Sequence, residues 1–188
     1  MPPHIALLRG INVGGHRVKM DRLRGLFVEM GFEEVSTFIA SGNLHFSSDT
    51  TDAGEIRKTI EEGLARALGY QVETFLRTPD RLAEIAGYGA TAGSGAPEWR
   101  AADEAAHYVL FLHGPAPEAL RSALAELESD TDRFTFDGHE AHWWIRGKMS
   151  ESPLFGGGLE RVLRAFPNTM RNMNTLRRIV PKVSPPNG

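Results

Sequence analysis

The segment His4-Ile5-Ala6-Leu7-Leu8-Arg9-Gly10-Ile11-Asn12-Val13-Gly14-Gly15 decides how the chain begins to fold. It starts with a short, mostly apolar run of the length expected for a buried strand, and the glycines that follow are typical of a loop. From Met20 onward the apolar residues recur at helical spacing, until Gly31 stands where a left-handed residue ends a helix. The segment therefore predicts a strand, a glycine-rich loop over residues 9–15 and a helix, in that order.

The next stretch predicts the rest of a β-α-β-β-α-β unit. Residues 34–40 are rich in β-branched and aromatic side chains and residues 44–47 alternate between apolar and polar, so both predict strands. Ser41-Gly42-Asn43 between them predicts the turn of a hairpin. Residues 56–67 predict a second helix, and residues 71–77 a fourth strand.

A second unit is predicted beyond a connector rich in glycine and alanine. We predict an N-terminal ferredoxin-like subdomain at 1–86, a flexible connector at 87–104, and a C-terminal ferredoxin-like subdomain with terminal helices at 105–188. In the last range, strands are predicted at 106–112, 133–136 and 139–145, and helices at 117–127, 159–166 and 175–180. The predicted fold class is α+β, with two ferredoxin-like β-α-β-β units, the second ending in C-terminal helices.

The composition is that of a globular protein from a reducing compartment. The 188 residues include no cysteine and 41% are hydrophobic, so disulfides and cysteine-based metal sites are excluded and a packed core is expected. The N-terminal apolar run is too short for a signal peptide, and no run approaches the ~20 residues of a spanning helix. We expect a cytoplasmic protein with no membrane partner.

Positive charge is concentrated at the two ends of the chain. The net charge is −3, yet residues 1–24 carry five basic side chains against one acidic, and residues 168–188 carry four basic side chains and no acidic one. Residues 25–167 hold the remaining 12 basic and 23 acidic residues. Basic tails are often merely solvated, but this asymmetry also suits two chain ends that meet around an anionic ligand.

The predicted fold brings the glycine loop and the hairpin turn to one edge of the first sheet. Strands joined by a β-α-β crossover run parallel, so loop 9–15 and Ser41-Gly42-Asn43 are expected to be neighbours beside the first helix, whose N-terminal N–H groups favour an anion. The competing interpretation is that loop 9–15 is only a tight turn, that Ser41-Gly42-Asn43 is an ordinary hairpin turn, and that neither binds a ligand. The predicted ligand-binding residues are Arg9, Asn12, Gly14, Gly15, Lys19, Ser41, Asn43, Arg171 and Asn174.

Arg171-Asn172-Met173-Asn174-Thr175 supplies the last two of these residues. A guanidinium can bind a carboxylate or a phosphate through two hydrogen bonds, which lysine cannot imitate. The motif also precedes the predicted last helix, where asparagine is a good N-cap, so we expect one of the asparagines to be structural.

Four motifs together resemble a known bacterial family. They are residues 6–15, Lys19-Met20, Ser41-Gly42-Asn43 and residues 171–175. Their sequences, order and separation are similar to those of the family called domain of unknown function 1697, and the resemblance covers nearly the whole chain. It implies a duplicated ferredoxin-like α+β fold and a site assembled from these motifs. It implies no reaction and no cofactor.

The motifs match no established catalytic or metal site. The loop lacks the Gly-Lys-Ser/Thr of a Walker loop and the pattern of a dinucleotide-binding loop. His139 and His142 would lie on opposite faces of a strand, so we predict no metal site. Trp143 and Trp144 also alternate, which predicts one ring in the core and one at the surface. We assign no catalytic residue and no cofactor.

Three functions remain open from the sequence. The first is recognition of a small phosphate- or carboxylate-bearing molecule, with or without catalysis. The second is RNA binding, which ferredoxin-like sheets support through aromatic residues on their central strands. In the first unit Phe46 is the one aromatic residue of the hairpin strand, and the first strand offers only His4. The third is a protein-interaction or scaffold role, suggested by the acidic middle of the chain.

Overall fold

The computed structural model describes residues 1–12, 14–38, 42–89, 95–101 and 105–183. The chain divides into two compact units, one of residues 1–83 together with the chain from Ile179 onward, and one of residues 84–178. Each unit contains a four-stranded sheet whose paired strands are all antiparallel. Within the described ranges, no helix has the length and apolar character needed to cross a bilayer.

The first unit has the strand order β2-β3-β1-β4. In chain order it contains β1 (Pro3–Arg9), α1 (Met20–Glu29), β2 (Glu33–Phe38), β3 (Asn43–Ser47), α2 (Ala53–Leu68) and β4 (Glu73–Arg77), and α3 (Pro79–Gly87) begins in it. With β1 between β3 and β4, this is the ferredoxin-like arrangement that the sequence predicts, and the predicted fold class is confirmed.

Helix ends in this unit follow local rules. Asp52 caps α2, because its Oδ1 accepts hydrogen bonds from the N–H groups of Gly54 at 2.8 Å and Glu55 at 3.0 Å. Gly31 after α1 and Gly69 after α2 have φ values of 90° and 81°, a conformation that glycine adopts without steric cost. These signals place the two helices where the sequence predicts them.

The core of the first unit lies between the helices and one face of the sheet. Alternate residues of the central strands β1 and β3 point into it, because side chains alternate along a strand. They pack with the inner faces of α1 and α2 in a cluster that includes Ala6, Leu8, Ile11, Leu23, Phe27, Leu44, Phe46, Ile56, Ile60 and Leu64. Ile11 belongs to this core although it lies in the glycine loop.

The second unit repeats the arrangement with the strand order β6-β7-β5-β8. Its elements are β5 (Ala105–Phe111), α4 (Glu118–Ala125), β6 (Asp132–Asp137), β7 (Glu140–Arg146), α5 (Gly158–Leu163) and β8 (Thr169–Asn172), followed by α6 (Met173–Val183), which ends in the first unit. Strand β8 is not predicted from the sequence. Four residues with little alternation carry almost no strand signal, and pairing with β5 is what makes them a strand.

The predicted connector is only partly described. Gly89 lies against the indole of Trp144, and Arg100 donates from Nε to the Gly89 carbonyl oxygen at 2.6 Å. Residues 98–101 form a short 3-10 helix. The other residues of the predicted connector, 90–94 and 102–104, lie outside the described residues.

Both tryptophans of β7 are buried, so the prediction of one core ring and one surface ring is wrong. Trp143 is 1% exposed and Trp144 is 4% exposed. Trp143 donates to Asp132 Oδ1 at 2.8 Å, and Trp144 lies on the other face of the sheet against Gly89 and His107. Both faces of this sheet are covered, which an alternating strand pattern alone does not reveal.

One backbone hydrogen bond occurs at the same place in both units. In the first unit the Leu8 N–H donates to the Gly42 carbonyl oxygen at 2.8 Å. In the second unit the Leu112 N–H donates to the His139 carbonyl oxygen at 2.9 Å. Each bond ties the end of the first strand of a unit to its hairpin turn. We call the edge of the first sheet where β1 and β2 end the rim.

Candidate functional site

The glycine loop at the rim is anchored at several points. The Ile11 side chain is 3% exposed in the core, and the Tyr70 hydroxyl donates to the Ile11 carbonyl oxygen at 2.9 Å. Asn12 Oδ1 accepts a hydrogen bond from the Val18 N–H at 2.8 Å, which closes the loop across six residues. The side chain of predicted ligand residue Asn12 therefore contributes to the shape of the loop.

Gly14 and Gly15 form the exposed tip of this loop. Their φ values are 62° and 87°, and a Cβ atom built on either would meet nothing within 4 Å. Neither N–H group donates to another described residue. Successive N–H groups in a turn can point toward one side, as in the anion-binding concavities known from other proteins, and both glycines lie in a turn. The tip is therefore exposed, and its two N–H groups have no described acceptor. Val13, beside it, lies outside the described residues.

Two basic side chains follow the tip in the chain. Arg17 and Lys19 are exposed, and no described acidic side chain pairs with either of them. Lys19 is also the N-cap of α1 and makes no side-chain capping bond, so the first N–H groups of that helix have no cap. Their partial positive charge adds to that of the two side chains, and the carboxylate of Asp21 in the first turn of α1 offsets part of it.

Arg9 reaches the rim but already has a carboxylate partner. Its Nη1 lies 3.0 Å from Glu73 Oε2, its neighbour across the β1–β4 pair. Both side chains are about two-fifths exposed, so the pair is weak and can rearrange. Arg9 is thus placed to contact an anion only in competition with Glu73.

The hairpin turn lies against the loop. A Cβ atom on Gly42 would stand 2.8 Å from Ile11 Cγ2, so turn and loop are in direct contact. Asn43 is 0% exposed and donates from Nδ2 to the Phe38 carbonyl oxygen at 3.2 Å. Asn43 therefore holds the hairpin together from inside rather than facing a ligand. Ser41, the third predicted residue of the turn, lies outside the described residues.

Arg171 and Asn174 belong to the second unit. Arg171 lies in β8, 9% exposed, and donates from Nη1 to Thr169 Oγ1 at 2.8 Å and to the Met170 carbonyl oxygen at 2.9 Å. Burial lowers the pKa of Arg171 to about 10. Asn172 caps α6, because its Oδ1 accepts a hydrogen bond from the Asn174 N–H at 2.8 Å. The expectation that one asparagine of this motif is structural is thus met by Asn172.

Sequence reasoning missed Tyr70, which organises the loop. Besides its bond to Ile11, it stacks on His16 with the ring centroids 4.3 Å apart. Tyr70 lies 59 positions after Ile11, just beyond α2, and nothing local in the sequence connects the two. The described residues contain no group of three or more histidine, aspartate or glutamate side chains placed to hold a metal ion.

The second sheet carries aromatic rings on its central strands, where His107 stacks on Trp144, and both tryptophans are buried. His107 on β5 stacks on Trp144 of β7 at 3.6 Å, and its Nε2 lies 2.9 Å from Nδ1 of His142. Tyr88 stacks on His142 at 3.9 Å. RNA recognition through stacking requires accessible rings, whereas Trp144 is 4% exposed. Burial lowers the pKa of His107 to about 2, and the positive potentials of His142 and Arg177 act in the same direction.

Comparison with known proteins identifies a family and a similar structure but no activity. The model of a family described as "Protein of unknown function (DUF1697)" matches residues 1–142. The structure of the conserved bacterial protein SP0830 from Streptococcus pneumoniae is similar, with a TM-score of 0.76 and 24% sequence identity over 97% of this chain and 98% of that one. No curated protein matches the chain. The family match confirms the resemblance that the motifs indicate, and the structural likeness supports the fold.

Proposed function

The chain belongs to the DUF1697 family, and we propose that this member is a cytoplasmic protein that binds a small phosphate- or carboxylate-bearing molecule at the rim. The observation that carries the proposal is the pair of exposed glycines Gly14 and Gly15, whose N–H groups have no described partner and which are followed in the chain by the exposed basic side chains Arg17 and Lys19. An oxyanion would accept from both N–H groups while the two cations balance its charge.

Preorganisation supports the same proposal. The contacts of Tyr70, Asn12 and Ile11 hold the described residues next to the tip, which would lower the conformational cost of binding. On binding, the Arg9 guanidinium would either leave Glu73 and contact the ligand or keep its ion pair with Glu73 beside the ligand. Arg171 donates within its own strand in the second unit, so the proposal rests on residues of the first unit.

We expect phosphate to stabilise the protein and the effect to depend on Arg17 and Lys19. A ligand at one hundred times its Kd adds about 2.7 kcal/mol to the free energy of unfolding, which raises Tm by several degrees. The measurement is Tm against phosphate concentration at constant ionic strength, for the wild type and for the double variant Arg17→Gln with Lys19→Gln.

Lys58→Gln is the matched control, because Lys58 is an exposed cation on α2 in the same unit, at the other end of that helix from Tyr70. The proposal requires the phosphate effect to persist in this control and to disappear in the double variant. An equal rise of Tm in all three proteins would show a general salt effect and would count against a site at the rim.

A further inference from the structure

We propose that the imidazole pair of His107 and His142 is a proton-operated latch, which holds the ring of Tyr88 on the second sheet at neutral pH and releases it in acid while the rest of the unit stays folded. This inference concerns the second unit and does not depend on the proposed anion site. It starts from the contact between the two histidine rings, in which His107 Nε2 lies 2.9 Å from His142 Nδ1.

The bond between the two rings exists only in some protonation states. A neutral imidazole has one nitrogen that donates and one that accepts, so two neutral rings can share one N–H between them. When both rings are protonated, Nε2 of His107 and Nδ1 of His142 are both donors, and two like charges repel each other at short range. The pair is therefore bonded when it is neutral and broken when both rings are charged.

The surroundings of the pair oppose protonation in the closed arrangement. Burial lowers the pKa of His107 to about 2, and the positive potentials of His142 and Arg177 act in the same direction. The carboxylates Asp137 and Glu140 pair across β6 and β7 at a level four residues along β5 from His107, or ~13 Å along the strand. Among the described residues of this unit, the other charged or titratable groups on this face of the sheet, or on the elements that pack against it, are Glu84 and Tyr88 at the end of α3, Glu98 and Arg100 in the 3-10 helix, Arg133 on β6 and Arg171 on β8.

The backbone on both sides of Tyr88 is anchored, so its ring can move without the chain around it. Arg177 donates from Nε to the Ala86 carbonyl oxygen at 3.3 Å. On the other side, Arg100 donates from Nε to the Gly89 carbonyl oxygen at 2.6 Å. Neither bond involves the two histidines, and both can persist when the Tyr88 ring changes its position.

The ring of Tyr88 covers His142. The two ring centroids lie 3.9 Å apart, and His142 is 0% exposed. The neighbouring rings of His107 and Trp144 belong to paired strands, whereas Tyr88 follows a helix and lies on the sheet from outside. Water can therefore reach a charged His142 at the least structural cost when the Tyr88 ring leaves, because the sheet stays intact.

Acid favours this open position. There water reaches the rings and the ordinary imidazole pKa of 6.5 applies, whereas in the closed position the pKa of His107 is about 2. Between these two values the open form binds a proton that the closed form does not. The ratio of open to closed protein therefore rises as the pH falls, by about tenfold per pH unit for each proton bound.

The test is ¹⁹F NMR of the full chain labelled with 3-fluorotyrosine, between pH 7.5 and pH 4. The chain has three tyrosines, Tyr70, Tyr88 and Tyr108. The signal that is missing from Tyr88→Phe belongs to Tyr88. Tyr108 packs against Trp143 in the core of the same unit, so its signal reports unfolding of that unit. We expect the Tyr88 signal to move to the position of a solvent-exposed ring as the pH falls, while the Tyr108 signal stays.

The double variant His107→Phe with His142→Phe keeps two rings at these positions and cannot titrate there, so its Tyr88 signal should stay in the closed position. His16→Phe is the control and should behave as the wild type. Three results would overturn the inference: a wild-type Tyr88 signal that does not move down to pH 4, one that moves only together with that of Tyr108, or opening that persists in the double variant. The first two are read from the wild type alone, so the test decides even where the double variant does not fold.

Discussion

Replacing Gly42 with alanine is expected to lower the free energy of unfolding by about 3 kcal/mol, because two costs add. Gly42 has a φ of 70°, a conformation that disfavours any Cβ atom. The new methyl group would also stand 2.8 Å from Ile11 Cγ2 and 3.2 Å from Leu8 Cβ, and these neighbours are 3% and 2% exposed. Neither neighbour has room to move away, since protein cores are close-packed.

Gly69→Ala is the matched control for this substitution. Gly69 has a φ of 81°, but a Cβ atom there would meet nothing within 4 Å, so only the backbone cost of about 1 kcal/mol applies. Urea unfolding of both variants separates the backbone cost from the steric one. Equal losses of stability in the two variants would mean that the turn and the loop are not in contact. Because Ile11 anchors the loop, Gly42→Ala should also weaken phosphate binding in the protein that remains folded.

Acidification is expected to destabilise the protein through His107, by as much as about 3 kcal/mol between pH 6.5 and pH 4. Burial holds the pKa of His107 near 2 in the folded state, whereas the unfolded chain has the ordinary value of 6.5. Between these two values the unfolded state binds a proton that the folded state does not, so stability falls as the pH falls. The contribution of His107 is complete above pH 6.5.

His107→Phe isolates this effect. Phenylalanine can keep a ring against Trp144 and cannot titrate, so the variant should lose less stability than the wild type between pH 6.5 and pH 4. His16→Phe is the control, because His16 is an exposed histidine that also stacks on an aromatic ring. The measurement is the free energy of unfolding in urea at several pH values. Parallel pH dependences of the wild type and His107→Phe would contradict the assignment.

The sequence was sufficient where local chemistry decides the structure. Glycines at 31 and 69 predict the ends of α1 and α2, and the apolar periods predict the strands that form the first sheet. The contact between the loop and Gly42 follows from the crossover topology that the sequence predicts. These features depend on residues that are near each other in the chain or on a rule that applies to every β-α-β unit.

The sequence was insufficient where distant residues decide the structure. The burial of Trp144 depends on Gly89 and His107, which lie on other elements. The anchoring of the loop by Tyr70 and the arrival of Lys182 at Phe38 are contacts across most of a unit or most of the chain. A pattern of apolar and polar residues records which face is buried, but not which residue covers it.

The central claim is that an anion binds at the N–H groups of Gly14 and Gly15, and those two amides can be observed directly. In a ¹⁵N-resolved NMR titration with phosphate, the account predicts saturable shifts of the Gly14 and Gly15 signals, which weaken in the Arg17→Gln, Lys19→Gln double variant. Signals of these two glycines that stay unmoved at phosphate concentrations that raise Tm would contradict it.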